Sequence, residues 1–320
     1  MSAKLKTNCS QGKDPLAPDL NILPSLPELE DHLYIYDADF KPREEVSLAL
    51  PPGCPQSALE REIFRRLLYA VNKRASTGIE DVASLCPNGL VLGDASKHML
   101  ANASANPVQL EAVERALWLA DYVARPPTIS EFLSDPRFLG SSLGGLGQGS
   151  GLWPAWQNIL LNQFDLDSFV HNVVLTGGIG IGKTLIMVLL VLYRICLVAH
   201  LRNPRRFFGL SPDGAIFFVI MSVTKETVRA TAWQQALRWM QSSPFFCHEA
   251  GFDPTRSYSD LRVELRSIAT NGQSAQLVLS GGSQLQHLLG RDTLVIAMDD
   301  PGDRSECHRS RPESLRSPHA

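Results

Sequence analysis

Residues 177–184 of this chain read Gly177-Gly178-Ile179-Gly180-Ile181-Gly182-Lys183-Thr184. The stretch fits G-x-x-x-x-G-K-[ST], in which glycines let the backbone turn tightly and aim successive N–H groups at phosphate oxygens. The lysine places a compact cation on the same oxygens, and the threonine hydroxyl is a ligand for Mg²⁺. The sequence therefore predicts that all eight residues bind a nucleotide, ATP in the first instance, with Lys183 also acting in catalysis and Thr184 holding the metal.

The residues on either side suit such a loop. A short apolar run, HNVVLT at 171–176, predicts a strand that leads into it. A long apolar helix is predicted from Lys183 to Leu201, and the positive end of its dipole would face the phosphates. The alternative is a glycine-rich turn with an accidental Lys-Thr pair.

A second motif, TLVIAMDD at 293–300, predicts a buried strand that ends in two carboxylates. A parallel strand delivers such an acid to the carboxyl edge of its sheet, beside the glycine loop. We predict that Asp299 binds Mg²⁺, through water, and that Asp300 is the catalytic acid that orients the attacking water. The alternative is a buried strand followed by an acidic turn, Asp-Asp-Pro-Gly.

Weaker candidates surround these two motifs. Gln157 lies about twenty residues before the loop, where a glutamine could recognise adenine, although a surface helix glutamine beside core Trp153 and Trp156 is an equal alternative. Ser222, Thr224 and Lys225 follow an apolar strand at the sheet edge where ligands bind, although a helix cap explains Thr224 equally well. An arginine cluster could meet DNA phosphates, although a solvated helix end is the better explanation: Arg202, Arg205 and Arg206.

Strands and helices alternate through the second half of the chain. Buried strands are predicted at 215–221, 262–268, 276–279 and 293–298, with a helix at 224–241 between the first two. Continuous apolar strands of this kind are typical of a parallel sheet covered on both faces. We therefore predict an α/β fold of the P-loop NTPase type, with a mainly parallel sheet covered by helices.

The first half predicts a small helical region. Ser57 and Glu60 have capping-box spacing at the start of one helix, Pro107 suits the first turn of a second, and Thr128 with Glu131 caps a third. The predicted organisation is listed by residue number: an extended or disordered lead-in at 1–56, a helical module at 57–139, a Gly/Ser-rich linker at 140–151, the nucleotide-binding domain at 152–300 and a disordered tail at 301–320.

Composition narrows the classes further. The net charge of −3 and 44% hydrophobic content are ordinary for a globular protein. The six cysteines form no CxxC pair and suit reduced thiols in a cytoplasm. The most apolar stretch, 185–192, is too short to cross a bilayer, and no secretory signal opens the chain. We therefore expect a cytoplasmic protein without a membrane partner.

Over a little more than half of its length, from about residue 128 to residue 300, the chain resembles the ATPase part of the large terminase subunit of tailed double-stranded DNA bacteriophages. The matching pieces, in chain order, are TISEFLSDPRFLG, LWPAWQNILLNQF, NVVLTGGIGIGKT, LRNPRRFFGLSPDGAIFFVIMSVTKE, WMQSSPFF and HLLGRDTLVIAMDD. The order of the pieces that lie between the glycine loop and the acidic motif at 293–300 is more specific to this family than the glycine loop alone.

The resemblance implies an ATP- and Mg²⁺-dependent motor that moves double-stranded DNA into a procapsid in the host cytoplasm. Its implied partners are DNA, a portal protein, a small terminase subunit and further copies of itself in a ring. The chain departs from the family at Asp300, where a glutamate is usual, and it lacks the coupling strand and nuclease domain that follow. Some members of the family also carry an arginine inside the glycine loop that reaches the γ-phosphate. The loop interior here has none, and Arg229 and Arg291 are guesses for one supplied from elsewhere. We therefore expect tight Mg²⁺-ATP binding, slow turnover and no DNA cleavage. The alternatives are a nucleotide-binding fragment without effective hydrolysis, or another P-loop enzyme such as a helicase or nucleotide kinase.

Overall fold

The computed structural model describes residues 57–75, 107–147, 151–168, 170, 172–178, 180–211, 214–269, 275–283 and 290–299. Two helices open the described part, α1 at Ala58–Ala75 and α2 at Pro107–Asp121. The amide of Glu60 donates to the Ser57 hydroxyl at 3.2 Å, which caps α1 as the spacing predicts. The helices α1 and α2 confirm the predicted helical N-terminal region. α2 ends a few residues before the proline pair at 126–127.

Short helices then lead to the glycine loop. They are α3 at Ile129–Ser134, α4 at Gly140–Leu143 and α5 at Pro154–Gln163. Thr128 and Glu131 form both bonds of the predicted capping box on α3.

Two more helices follow the loop, the long α6 at Lys183–Ala199 and the short α7 at Pro204–Phe207. After the first strand, α8 at Lys225–Val228 runs into a π-helical turn at Arg229–Trp233 and then into α9 at Gln234–Ser242. A second π-helical turn lies at Phe245–Glu249.

The sheet has four strands in the described residues: β1 at Ile216–Ser222, β2 at Arg262–Arg266, β3 at Gln276–Gly282 and β4 at Asp292–Asp299. Their order is β2-β3-β1-β4, with β3 and β4 parallel to β1 and β2 antiparallel to β3. The prediction of a mainly parallel sheet within an α/β fold is confirmed in this coarser form. The carboxyl ends of β1, β3 and β4 share one edge, and β2 begins there.

One large core packs against a single face of this sheet. It joins α3, α5, α6 and α9 to inward side chains of the strands such as Phe218, Ile220 and Leu279. The other face carries a small strand-only cluster formed by Phe217, Val219, Met221 and Val278. Within the described residues, no helix joins that second cluster, so the expectation of helices on both faces is not met there.

The edge strand β4 differs from the other parallel strands in exposure. Its even-numbered side chains point away from the main core, and Ile296 and Met298 are 46% and 62% exposed. Val295 and Ala297 pack against the core, so the strand keeps the alternation of a half-buried strand. The continuous apolar run predicted a strand that is buried on both sides, which is wrong for β4.

Two further expectations differ from the structure. The predicted strand at 171–176 is reduced to a single bridge residue, Val174, because the segment is exposed and belongs to no described ladder. The predicted flexible linker at 140–151 begins with a helix, α4, in which Gly140 and Leu143 are buried. A Cβ on Gly140 would collide with the backbone of Ser134, so glycine serves close packing at that position rather than flexibility. The predicted lead-in at 1–56 and tail at 301–320 lie outside the described residues.

Candidate functional site

The glycine loop connects the exposed 172–176 segment to the first turn of α6. Gly177, Gly180 and Gly182 have φ values of 144°, 84° and 87°, a region that L side chains rarely adopt. A Cβ on Gly177 would also collide with the side chain of Ile181. The chain therefore needs glycine at these turns, and the loop ends directly at the N-terminus of a 17-residue helix. Backbone N–H groups and a helix dipole at such an end favour an anion.

Two side chains brace the loop. The ammonium of Lys183 donates to the carbonyls of Gly177 and Gly178 at 2.8 and 2.9 Å, so it lies over the loop rather than in bulk solvent. Trp156 on α5 donates from Nε1 to the carbonyl of Ile181 at 2.6 Å. Sequence reasoning assigned Trp156 to the core only. Its partner is 25 residues away, and a tryptophan near the loop gives no sign of such a bond.

Thr184 and Asp299 meet in the fold although 115 residues separate them in the sequence. The Thr184 hydroxyl lies 2.9 and 3.1 Å from the two carboxylate oxygens of Asp299. The contact forms because Thr184 is in the first turn of α6, which packs against the core face of β4, and Asp299 is the last residue of that strand. Asp299 therefore lies beside the glycine loop, as the paired motifs predict.

This pair offers the hard oxygen donors that Mg²⁺ prefers. No cluster of three or more His, Cys, Asp or Glu side chains suited to a metal is found in the part of the chain that the structure describes. A divalent ion here would therefore need oxygens from a bound phosphate or water in addition to the protein. That donor set fits Mg²⁺ held with a nucleotide rather than a protein-only metal cage.

Ser222 is a third polar side chain at this edge. It ends β1, pairs in register with Asp299, and is only 8% exposed. Its hydroxyl is buried, and it has no hydrogen-bond partner among the described residues. By the alternation of β1, Ser222 points to the same face as Ile220 and hence towards α6. A buried hydroxyl without a partner is costly, so a polar group outside the described residues, such as a bound ligand or a water molecule, would complete it.

Gln157 has its amide fully engaged with the backbone. Its Oε1 accepts from the amide of Gly147 at 2.9 Å, and its Nε2 donates to the carbonyls of Leu152 and Gly147 at 2.8 and 3.3 Å. These contacts give Gln157 a structural role that joins Gly147 and Leu152 to α5, and at 7% exposure it is not the surface glutamine of the alternative. Adenine recognition by Gln157 stays a prediction that would require these bonds to open.

The two guessed arginines lie elsewhere. The guanidinium of Arg291 stacks on Phe217 at 4.8 Å, on the sheet face opposite α6. Arg229 donates to the carbonyl of Ser259 at 2.9 Å, beyond the end of α8. Neither is placed against the glycine loop in the structure. In the arginine cluster after α6, Arg202 and Arg205 donate to the backbone carbonyls of Leu119 and Gly214. Such bonds agree with the explanation of the cluster as a helix end.

The geometry therefore brings together the glycine loop, Lys183, Thr184 and Asp299, and it adds Ser222 and Trp156. The predicted positions Ile179 and Asp300 lie outside the described residues. No protein-family model, curated protein or solved structure that was compared with the chain matches it. Among the described helices, none has the length and apolar character to cross a membrane.

Proposed function

We propose that this chain binds Mg²⁺-ATP at the Gly177–Thr184 loop and hydrolyses it as the P-loop ATPase domain of a DNA-packaging motor of the large terminase type. The contact between the Thr184 hydroxyl and the Asp299 carboxylate carries the nucleotide part of the proposal. A threonine that follows a phosphate-binding lysine and faces a strand-terminal aspartate is the arrangement that holds Mg²⁺ against the β- and γ-phosphates.

Each residue has a part in this arrangement. Loop N–H groups between Gly177 and Gly182 bind phosphate oxygens, and Lys183 moves its ammonium from the loop carbonyls onto them. Thr184 supplies a metal ligand, and Asp299 orients that hydroxyl and the water bound to the metal. Asp300 follows Asp299 in the sequence and is assigned to the attacking water.

The motor part of the proposal is supported by the resemblance in the sequence. It predicts double-stranded DNA, a portal protein, a small terminase subunit and a ring of like subunits as partners. An arginine finger contributes a factor of about 10³–10⁵ in rate, and the loop interior has none. We therefore place that arginine on a neighbouring copy, so that the isolated chain binds ATP tightly but hydrolyses it slowly.

Calorimetric titration with ATP, with and without Mg²⁺, tests the nucleotide site. Lys183→Ala should weaken Mg²⁺-ATP binding by about tenfold or more, since a charge-assisted bond to phosphate is lost. Asp299→Asn should leave binding of metal-free ATP in place but remove the gain that Mg²⁺ gives. Arg115→Ala removes an exposed cation from α2 and is the control. Wild-type affinity in Lys183→Ala would exclude the loop as the site.

Steady-state hydrolysis at rising protein concentration, with and without duplex DNA, tests the motor. Turnover per chain should increase with concentration as neighbouring copies complete each other's sites. Binding of ATP without any hydrolysis at the highest concentration, with DNA present, would favour a nucleotide-binding protein over a motor.

A further inference from the structure

A groove of about 490 Å³ lies near the start of β2, on the opposite lateral side of the sheet from β4. One wall is the helical stretch from Arg229 to Gln241, and the other is the 252–259 segment that precedes β2. Three arginines line it, Arg229, Arg238 and Arg256, and we call it the arginine groove.

The π-helical turn at Arg229–Trp233 is what brings two of these arginines to one wall. In a regular α-helix, nine residues rotate a side chain by about 900°, so Arg229 and Arg238 would lie on opposite sides. A π turn takes one extra residue, which makes the effective separation about eight residues and the angle about 80°. The local departure from α-helix therefore builds the groove, and π turns of this kind are frequent at functional sites.

The three guanidinium groups remain available for an anion. All three arginines are exposed, and within the described residues none forms an ion pair with an acidic side chain. Arg229 is oriented by its bond to the Ser259 carbonyl, and Arg256 lies over the ring of Tyr258 at 5.7 Å. The nearest carboxylate of note is Asp253, whose bonds from Thr255 and the charge of Arg256 hold its pKa below the usual range. The residues that line the groove include these three arginines and no carboxylate, so the lining carries positive charge.

The floor of the groove shows which part of a ligand it can bind. Trp233, Phe252 and Tyr258 line it, but all three rings are buried and cannot stack on a nucleobase. Guanidinium groups bind phosphates in bidentate geometry and carry no base preference when they do so. The groove therefore suits a row of phosphates rather than bases.

The groove also shares an edge with the nucleotide site. β1 and β3 end at the edge where Asp299 ends β4, and β2 begins there with Arg262 directly after the 252–259 segment. Val228, just before Arg229, contacts the position where a Cβ on Gly281 of β3 would lie. A long polyanion in the groove would thus run along the edge that holds the glycine loop.

We propose that the arginine groove binds the phosphodiester backbone of double-stranded DNA. The choice of duplex DNA rests on the proposed function, whereas the phosphate chemistry rests on the groove itself. Each phosphate neutralised by an arginine should add about 0.9 to the slope of log affinity against log salt.

The test is fluorescence anisotropy of a labelled mixed-sequence duplex with the full chain, without nucleotide, over a range of salt concentrations. Arg238→Gln/Arg256→Gln should weaken duplex binding by about tenfold or more and lower the salt slope by about two. Arg115→Gln, at an exposed site on α2, is the matched control and should bind as the wild type. Thermal melting shows whether each variant is folded.

Several outcomes would overturn the proposal: no duplex binding by the wild-type chain, equal affinity for the double variant and Arg115→Gln, or weaker Mg²⁺-ATP binding in the double variant with duplex binding unchanged. The last outcome would assign the groove to nucleotide phosphates. Lys183→Ala separates the two proposals, because it should lose ATP affinity and keep duplex affinity. Wild-type ATP affinity in that variant would reject the nucleotide site without touching the groove.

Discussion

Ser222 and Ser243 both carry buried hydroxyls, but removing the two hydroxyls should have opposite effects on stability and on ATP affinity. The Ser222 hydroxyl has no partner in the described part of the chain, whereas Ser243, fully buried, donates to the carbonyl of Arg137 at 3.2 Å. Ser222→Ala should therefore leave the free energy of unfolding unchanged or raise it by about 1 kcal/mol, while Mg²⁺-ATP affinity falls by about tenfold. Ser243→Ala should lower stability by about 1 kcal/mol and leave ATP affinity intact. Denaturant unfolding and calorimetry measure both. A Ser222→Ala protein that is less stable and binds ATP normally would remove Ser222 from the site.

Single residues were predictable where the chemistry fixes a local pattern. The glycines and Lys183-Thr184 are adjacent in sequence, and the acidic end of β4 is visible in the TLVIAMDD run. Trp156 and Gln157 were not predictable in the same way, because their partners are backbone carbonyls and amides whose positions only the fold determines. Outside local patterns such as the helix caps at Ser57 and Thr128, a side chain that bonds to a backbone group leaves no trace in residue type.

The junction of α1 and α2 depends on one buried ionic cluster. Arg65, fully buried, lies 2.5 Å from Asp121, and Arg61 reaches the second oxygen of Asp121 at 2.7 Å. Burial raises the pKa of Asp121, but the bonds and charges of the two arginines outweigh it and hold the pKa below the usual range. Asp121→Asn leaves Arg65 buried with Glu62 as its remaining counter-charge and should lower the free energy of unfolding by about 3 kcal/mol, the lower end for a broken buried pair. The exposed Arg262–Glu264 pair is the comparison, and Glu264→Gln should cost less than about 1 kcal/mol. Chemical denaturation decides between them, and similar losses in both variants would contradict a buried cluster.

For helices and strands, hydrophobic periodicity predicted which elements exist better than it predicted their exact form. The strands β1 and β4 and the helix α6 were predicted within two residues of their observed ends, since apolar runs record burial directly. The π turn at Arg229–Trp233 was not predictable, because one extra residue in a helical turn changes the contacts but not the composition. The strand at 171–176 was predicted from apolar residues, but two of them, Val173 and Val174, are exposed. Composition alone cannot show whether a partner strand lies beside such residues.

Within the part of the chain that the structure describes, the sheet separates a thick core on one face from a second face that no helix covers. Sequence pattern predicted an α/β fold correctly, but it could not predict which face the helices occupy, because β1 is apolar on both faces. The proposed nucleotide site, α6 and the end of α2 therefore share one core. A change at the centre of that core should therefore alter global stability.

His200 occupies such a central position. It follows α6, stacks on Phe245 with ring centroids 5.2 Å apart, and bonds through Nδ1 to the carbonyl of Cys196 at 2.7 Å. Burial lowers the pKa of His200 below its usual value near 6.5, and with the charge of Arg137 it outweighs the bond to the Cys196 carbonyl and the charge of Glu249, which both raise that pKa. The unfolded chain therefore takes up this proton more readily than the folded one. The stabilising contribution is complete above about pH 6.5 and is lost as the pH falls through the depressed folded value.

His200→Gln keeps a donor for the Cys196 carbonyl but cannot titrate. The parent should lose stability more steeply than this variant below about pH 6.5, by up to about 1.4 kcal/mol per pH unit, which is the limit for one proton. Urea unfolding at a series of pH values measures the difference, and acidic groups common to both proteins cancel in it. His248→Gln, at an exposed position on the neighbouring π turn, is the matched substitution for the effect of a His-to-Gln change on stability at neutral pH. If the free energies of unfolding of the parent and of His200→Gln fell in parallel with pH, the folded core would not be excluding a proton from His200. The acid sensitivity of the molecule would then have to come from its carboxylates alone.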